Sequence, residues 1–182
     1  MAARFAEGSV SDFLKTCVDI PRFLECCKDC PSYGKRWSCP PYDFSVRKLW
    51  GQYSTILLYE EKIPIPAEFR EKTYEQEALN DICRALLAPV KRQMTDDLLA
   101  LEQCYPENLA LFPGTCELCE RCSKESGEPC AHPDMMRHSI ESLGGNVAQA
   151  VRIFFDDKIL WAKAGYLPDY FILLGGLLKK EK

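Results

Sequence analysis

The residues best equipped for chemistry in this chain are its eleven cysteines, set against only two histidines. Eight of the cysteines fall in two loops, and seven of these are the candidate ligands. The second loop, 115–133, reads Cys116-Glu-Leu-Cys119-Glu-Arg-Cys122, and Cys130 follows after seven more residues. A C-x2-C-x2-C loop winding round a cubane presents a thiolate at every third residue, each to a different iron. The bacterial ferredoxin pattern begins the same way. Zinc more often draws on two separated C-x2-C pairs, because its four ligands meet on one atom. The spacing therefore points to a [4Fe–4S] cluster held by Cys116, Cys119, Cys122 and Cys130, with zinc as the alternative. The residues around these cysteines are polar and lack the pattern of a buried core.

The first loop, 26–42, reads Cys26-Cys27-Lys-Asp-Cys30-Pro-Ser-Tyr-Gly-Lys-Arg-Trp-Ser-Cys39-Pro-Pro-Tyr. Cys27 and Cys30 form a C-x2-C step, and Cys39 follows after eight residues. These three are the expected ligands of a second metal or cluster, one short of four. Three completions stay open. An iron can keep an open position. Cys26, Cys17 or a non-cysteine group can serve as the fourth ligand. Or the loops exchange: in two-cluster ferredoxins the cysteine before a proline ligates the other cluster, so Cys39 would serve the second loop and Cys130 the first. Gly34 permits a tight turn, and Pro31, Pro40 and Pro41 stiffen the flanks. Tyr33 and Trp37 are either shields that keep water from the site or ordinary core aromatics.

The other side chains offer less. Cys17, Cys83 and Cys104 read as packing thiols. His132, in Pro129-Cys-Ala-His-Pro133, is a ligand, a hydrogen-bonding neighbour of one, or neither; His138 has no assigned role. Lys35, Arg36, Arg47 and Lys48 form a basic group near the first loop. It suits a small anionic substrate or an acidic redox partner protein, or is simply solvated. The chain has no G-x-x-x-x-G-K-[ST], no G-x-G-x-x-G after a strand and no H-E-x-x-H. The C-x3-C-x2-C triplet of radical S-adenosylmethionine enzymes is missing too.

Composition bounds the setting. At 182 residues the chain suits a single domain, 1–182, and a 47% hydrophobic fraction suits a folded one. A net charge of −4 gives no footprint for nucleic acid. No run of about 18 apolar residues is present, so no membrane span is expected. The N-terminal residues lack the apolar stretch of a secretory signal. A cytoplasmic setting follows, and there a disulfide framework is not expected.

The elements that must hold these loops can be read from periodicity. Residues 9–24 suggest a helix or turn leading to Pro21. Residues 54–63, 108–112 and 169–178 read as strands. Residues 67–103 carry a long helical stripe that includes Leu79, Ile82, Leu86, Val90, Met94 and Leu98, with a break or kink expected at Pro89. A short helix is expected over 134–143, closed by Gly144-Gly145. Another is capped by Asn146 and runs to about Lys163. The order predicts an α/β (or α+β) fold with a small sheet in two or three layers. A right-handed crossover is expected if the first two strands run parallel.

At Cys27–Tyr42, Cys116–Cys122, Pro129–Pro133 and Met136–Gly144 the sequence resembles a family of bacterial and archaeal cysteine-rich proteins described as predicted metal-binding. In that family the stretch matching His138-Ser-Ile-Glu-Ser142 commonly reads Pro-Ser-x-Glu-Ala, so this chain departs at His138 and Ser142. The resemblance implies a compact single domain with a metal or iron–sulfur site. It implies no reaction. Three functions remain in view: an iron–sulfur electron carrier, an enzyme using an open iron as Lewis acid, and a zinc-stabilised interaction module.

Overall fold

The two most apolar runs of the chain become the centre of its sheet. β2 (Thr55–Pro64) and β4 (Tyr170–Lys179) pair antiparallel along their whole length, from Thr55 opposite Lys179 to Pro64 opposite Tyr170. The computed structural model describes residues 3–105 and 107–180. β1 (Arg4–Ser9) pairs with the outer side of β2, and β3 (Leu109–Leu111) with the outer side of β4. The order is β1-β2-β4-β3, antiparallel throughout. The mixed helix-and-sheet expectation holds, in its α+β form. β2 and β3 do run in the same direction, but β4 is inserted between them.

Alternation along the strands feeds two apolar layers. Ile56, Leu58, Ile172, Leu174 and Leu178 meet Val10, Phe13, Trp50 and Val151 from α1 (Val10–Thr16), α3 (Val46–Trp50) and α6 (Val147–Phe155). On the opposite face Tyr59 and Leu177 meet Met94 and Leu98 of α5 (Gln76–Cys104), while Ile63 and Phe171 pack near Leu79. Helices thus cover both faces of the sheet. Two shorter helices, α2 (Ile20–Cys27) and α4 (Ala67–Arg70), add Ile20 and Phe69 to the edges of these layers. Among the described residues no helix is long and apolar enough to cross a membrane.

Several local expectations need correction. β1 carries little strand signal of its own: its one large apolar side chain, Phe5, is exposed, and pairing with β2 defines it. Pro21 opens a helix instead of ending one. Asp19 caps α2, and the proline sits in the first turn, where its missing N–H costs nothing. The long helix starts only at Gln76, and Pro89 does not break it. Pro89 and Ala85, whose carbonyl loses its partner, are both exposed, so water takes the bond. Cys104, expected to pack, is exposed at the end of α5. α6 is capped by Asn146 as expected but stops at Phe155, where Asp156 turns left-handed (φ 51°).

The helix expected over 134–143 shrinks to one 3₁₀ turn, Glu141–Leu143. Arg137 explains why. It donates to the carbonyls of Met136 (2.7 Å) and Asp134 (2.8 Å), and its Nε grips the buried Glu102 of α5 at 2.8 Å. Glu102 in turn accepts from the Ala110 N–H of β3 (2.8 Å). The segment is drawn out beside β3, where Phe112 N–H donates to the His138 carbonyl (2.8 Å).

Because the proline is accommodated at an exposed site, Pro89→Ala restores a helix bond with no change in packing. It should raise stability by up to about 3 kcal/mol, read as a higher urea midpoint with an unchanged m-value. A lower midpoint would show that the ring contributes packing.

Candidate metal centre

The two cysteine loops lie against each other, and backbone groups without helix or strand partners bring them together. Residues 28–45 and 112–140 hold little regular structure, so their peptide groups need other partners. Ser38, 1% exposed, is at the centre. Its hydroxyl accepts from the Cys116 N–H (3.3 Å) and lies 3.8 Å from the Cys39 Sγ. Its carbonyl accepts from the Tyr42 hydroxyl (2.8 Å) and lies 3.2 Å from His138 Nδ1. Arg36 donates to the Cys116 carbonyl (3.0 Å), and the Trp37 indole to the Glu128 carbonyl (3.2 Å). Lys124 reaches back to the carbonyls of Arg36 and Cys39, each at 3.3 Å. Gly34, left-handed at φ 69°, turns the first loop and donates to the Pro40 carbonyl (2.8 Å).

Cys116, Cys119, Cys122 and Cys130 line one cavity of about 20 Å³, walled on the first-loop side by Arg36, Trp37 and Ser38. That volume is close to one water's worth. All four thiols are half-buried. Burial pushes the Cys116 thiol up, and the neighbouring Cys130, Cys119 and Cys122 add to it. The 3₁₀ turn Ser123–Ser126, ended by left-handed Gly127, redirects the chain between Cys122 and Cys130. His132 lines the same cavity.

The first-loop cysteines Cys27, Cys30 and Cys39 are neighbours. Cys27 ends α2, Cys30 is exposed just beyond it and Cys39 is buried. Burial raises the Cys27 thiol to about 11, with Cys30, Cys39, Glu141 and Cys26 contributing. Burial also raises Cys39; its Ser38 contact, Arg36 and Lys124 work against that, and Cys30 adds to it. Cys26 is exposed, Cys17 lies in the apolar core beside Phe13 and Trp50, and Cys83 is half-buried on α5. All eleven cysteines are unpaired. Of the basic group, Arg36 is tied into the loop contact, while Lys35, Arg47 and Lys48 are exposed.

Three neighbours had no role in the sequence reading. The Tyr42 ring stacks on Phe44 (centroids 4.7 Å apart) and meets the His138 ring edge-on at 4.9 Å. Burial pushes the Tyr42 hydroxyl up and holds His138 below the usual histidine range. Glu141 is brought beside Cys27 because α2 packs on its 3₁₀ turn. That packing is close: a Cβ on Gly144 would meet the Ile20 Cα at 2.6 Å. Burial raises the Glu141 carboxyl, and its Oε2 has no hydrogen-bond partner. The only sequence signal for His138 and Glu141 was the resemblance across Met136–Gly144.

Among the described residues no three Cys, His, Asp or Glu side chains converge on one ion-sized point. The donor chemistry nonetheless fits a thiolate-bound group: four cysteines line one cavity, together with Arg36, Trp37 and Ser38.

A sequence model of the family described as "Predicted metal-binding protein (DUF2284)" matches residues 16–163. That span takes in both cysteine loops. No curated protein matches the chain, and no solved structure does.

Ser38→Ala tests the contact between the loops. It leaves the Cys116 N–H without its acceptor, an expected loss of about 1–2 kcal/mol. Urea unfolding measures that loss, and amide exchange should quicken at Cys116. Unchanged exchange there would place the contact elsewhere.

Proposed function

The chain belongs to this family of predicted metal-binding proteins, and we propose that it is an iron–sulfur protein of electron transfer or redox chemistry. In this reading Cys116, Cys119, Cys122 and Cys130 hold a [4Fe–4S] cluster, and Cys27, Cys30 and Cys39 hold a second metal or cluster. The observation that supports it is that all four second-loop cysteines line one cavity, in a spacing that cubanes use.

When bound, such a cluster supplies one-electron exchange, at a potential set by net charge, hydrogen bonds to sulfur and solvent exposure. The chain's own residues bear on each of these. Arg36 and Lys124 bring positive charge to the junction of the loops. Trp37 walls the second-loop cavity, and half-burial limits water at its thiols. Ser38 links the two thiol groups directly: it is the covalent neighbour of Cys39 and the hydrogen-bond partner of Cys116. Exposed Lys35, Arg47 and Lys48 suit an acidic redox partner or a small anion. The proposed setting is the cytoplasm, where thiols stay reduced.

Zinc is the second reading, favoured by the size of the cavity. About 20 Å³ is room for a single ion once the thiols close on it, and a zinc-stabilised interaction module follows from that.

Anaerobic purification with iron, sulfide and zinc analysis separates the two. The expected result is a brown protein with about four iron and four sulfide for the second loop. Cys116→Ala and Cys122→Ala should each remove that complement, while Cys83→Ala and Cys104→Ala keep it. A colourless protein with stoichiometric zinc overturns the iron–sulfur reading and leaves the zinc one.

A further inference from the structure

β4 has an edge that the sheet does not close. The Ala110 N–H is spent on Glu102, so Ala110 and its partner Leu177 turn their peptide groups away from each other. Leu177 therefore serves β2. So do Asp169 and Lys179, whose carbonyls accept from Ile65 and Ser54, the residues flanking β2. By alternation Ile172, Leu174, Gly176 and Leu178 turn their N–H and C=O groups to the other side. β3 takes Gly176 and Leu178, opposite Leu111 and Leu109. Pro113, next in line for Leu174, has no N–H to give, and the chain turns off at left-handed Gly114 (φ 89°). Among the described residues the outward N–H and C=O groups of Ile172 and Leu174 have no backbone partner.

A second cavity, of about 420 Å³, lies along this stretch of β4. Its size is that of small-ligand sites, about 300–1,000 Å³. Leu79, Cys83 and Leu87 of α5 wall it on one face of the sheet, and Val147 and Ile159 on the other. Of the described residues lining it only Glu141 is charged, and its unpartnered oxygen is closed off from solvent. A hydrocarbon ligand would match these walls but leave the edge groups of β4 unpaired. A main chain laid alongside pairs them. Its side chains would then point alternately to the two faces, both apolar here. We propose that this slot binds an extended, uncharged, apolar peptide segment of a partner protein. The segment lies in line with β3, and its peptide groups pair with those of Ile172 and Leu174. None of the cysteines proposed as metal ligands lines the slot.

Hydrogen exchange and calorimetry on the full, metal-loaded chain test this, with acetyl-Val-Ile-Val-amide as the probe. In the free chain the amides of Ile172 and Leu174 should exchange faster than those of Phe171 and Leu173, which face β2. The probe should slow them, and Trp161, on the rim and 70% exposed, should report binding by its fluorescence. The same peptide with its backbone nitrogens methylated keeps the apolar side chains but loses its donors, and should bind at least about 10-fold more weakly. Cys83→Trp, which fills the slot from α5, should abolish binding with metal content unchanged, while Cys83→Ser retains both. If Cys83→Trp fails to fold, the methylated peptide decides the matter. Equal affinity for the two peptides, or no binding at millimolar concentration, overturns the proposal. So does equal protection of Ile172, Leu174 and their neighbours in the free chain, since the edge would then be closed already. Protection that grows with protein concentration alone also overturns it, because a second copy would then occupy the edge.

Discussion

A loop that offers thiols to a metal cannot also satisfy its peptide groups within a helix or strand. Buried backbone N–H and C=O groups must still find partners. Here each cysteine loop finds them in the other. Ser38 is the point where this is decided: its hydroxyl takes the Cys116 amide, and its carbonyl takes Tyr42 and faces His138. Arg36 and Lys124 repeat the exchange in opposite directions across the same contact. The two thiol groups are therefore neighbours because of hydrogen bonding between their backbones. Among the described residues no buried apolar cluster joins the two loops; the buried clusters lie on the two faces of the sheet.

The sheet and helices fix where the loops begin and end. β3 delivers the chain to Phe112, and the Phe112–His138 hydrogen bond closes the second loop at its base. Arg137 and Glu102 lock that closure to α5 and β3. The first loop leaves from α2, which is held against the 3₁₀ turn through the contact of Ile20 with Gly144. The Trp50 indole donates to the Leu143 carbonyl (3.0 Å) and fixes that turn to the core. Both loops are thus anchored on the stretch 137–144, a segment that itself has only three residues of helix.

What was legible in the sequence was local. The thiol spacings are written in consecutive residues, and the apolar runs of β2 and β4 are strong enough to survive any partner. The capping role of Asn146 was legible for the same reason, since a cap acts within one turn. What was hidden is long-range. Ser38 and Cys116 stand 78 positions apart, and no spacing rule connects them. β1 is a strand because β2 offers it an edge. Residues 134–140 have helix-like composition, yet Arg137 spends its donors on their carbonyls and on Glu102, and tertiary contact overrides propensity. Glu141 was invisible for the same reason: its neighbours Cys27 and the second cavity come from other parts of the chain.

These observations bear on how the site and the fold depend on each other. The sheet with α5 and the opposing helices has its own apolar layers and does not need the loops to bury them. The loops have no such layer. Each hydrogen bond at their contact contributes a net of only about 1 kcal/mol, while ordering each loop residue costs about as much or more. In the proposed reading thiolate–metal bonds would offset that cost, because metal binding to a site formed only on folding adds directly to folding free energy. Occupancy of the thiols and order in the loops would then be one equilibrium. Glu141 sits at the boundary between core and loops, on a turn that packs against α2.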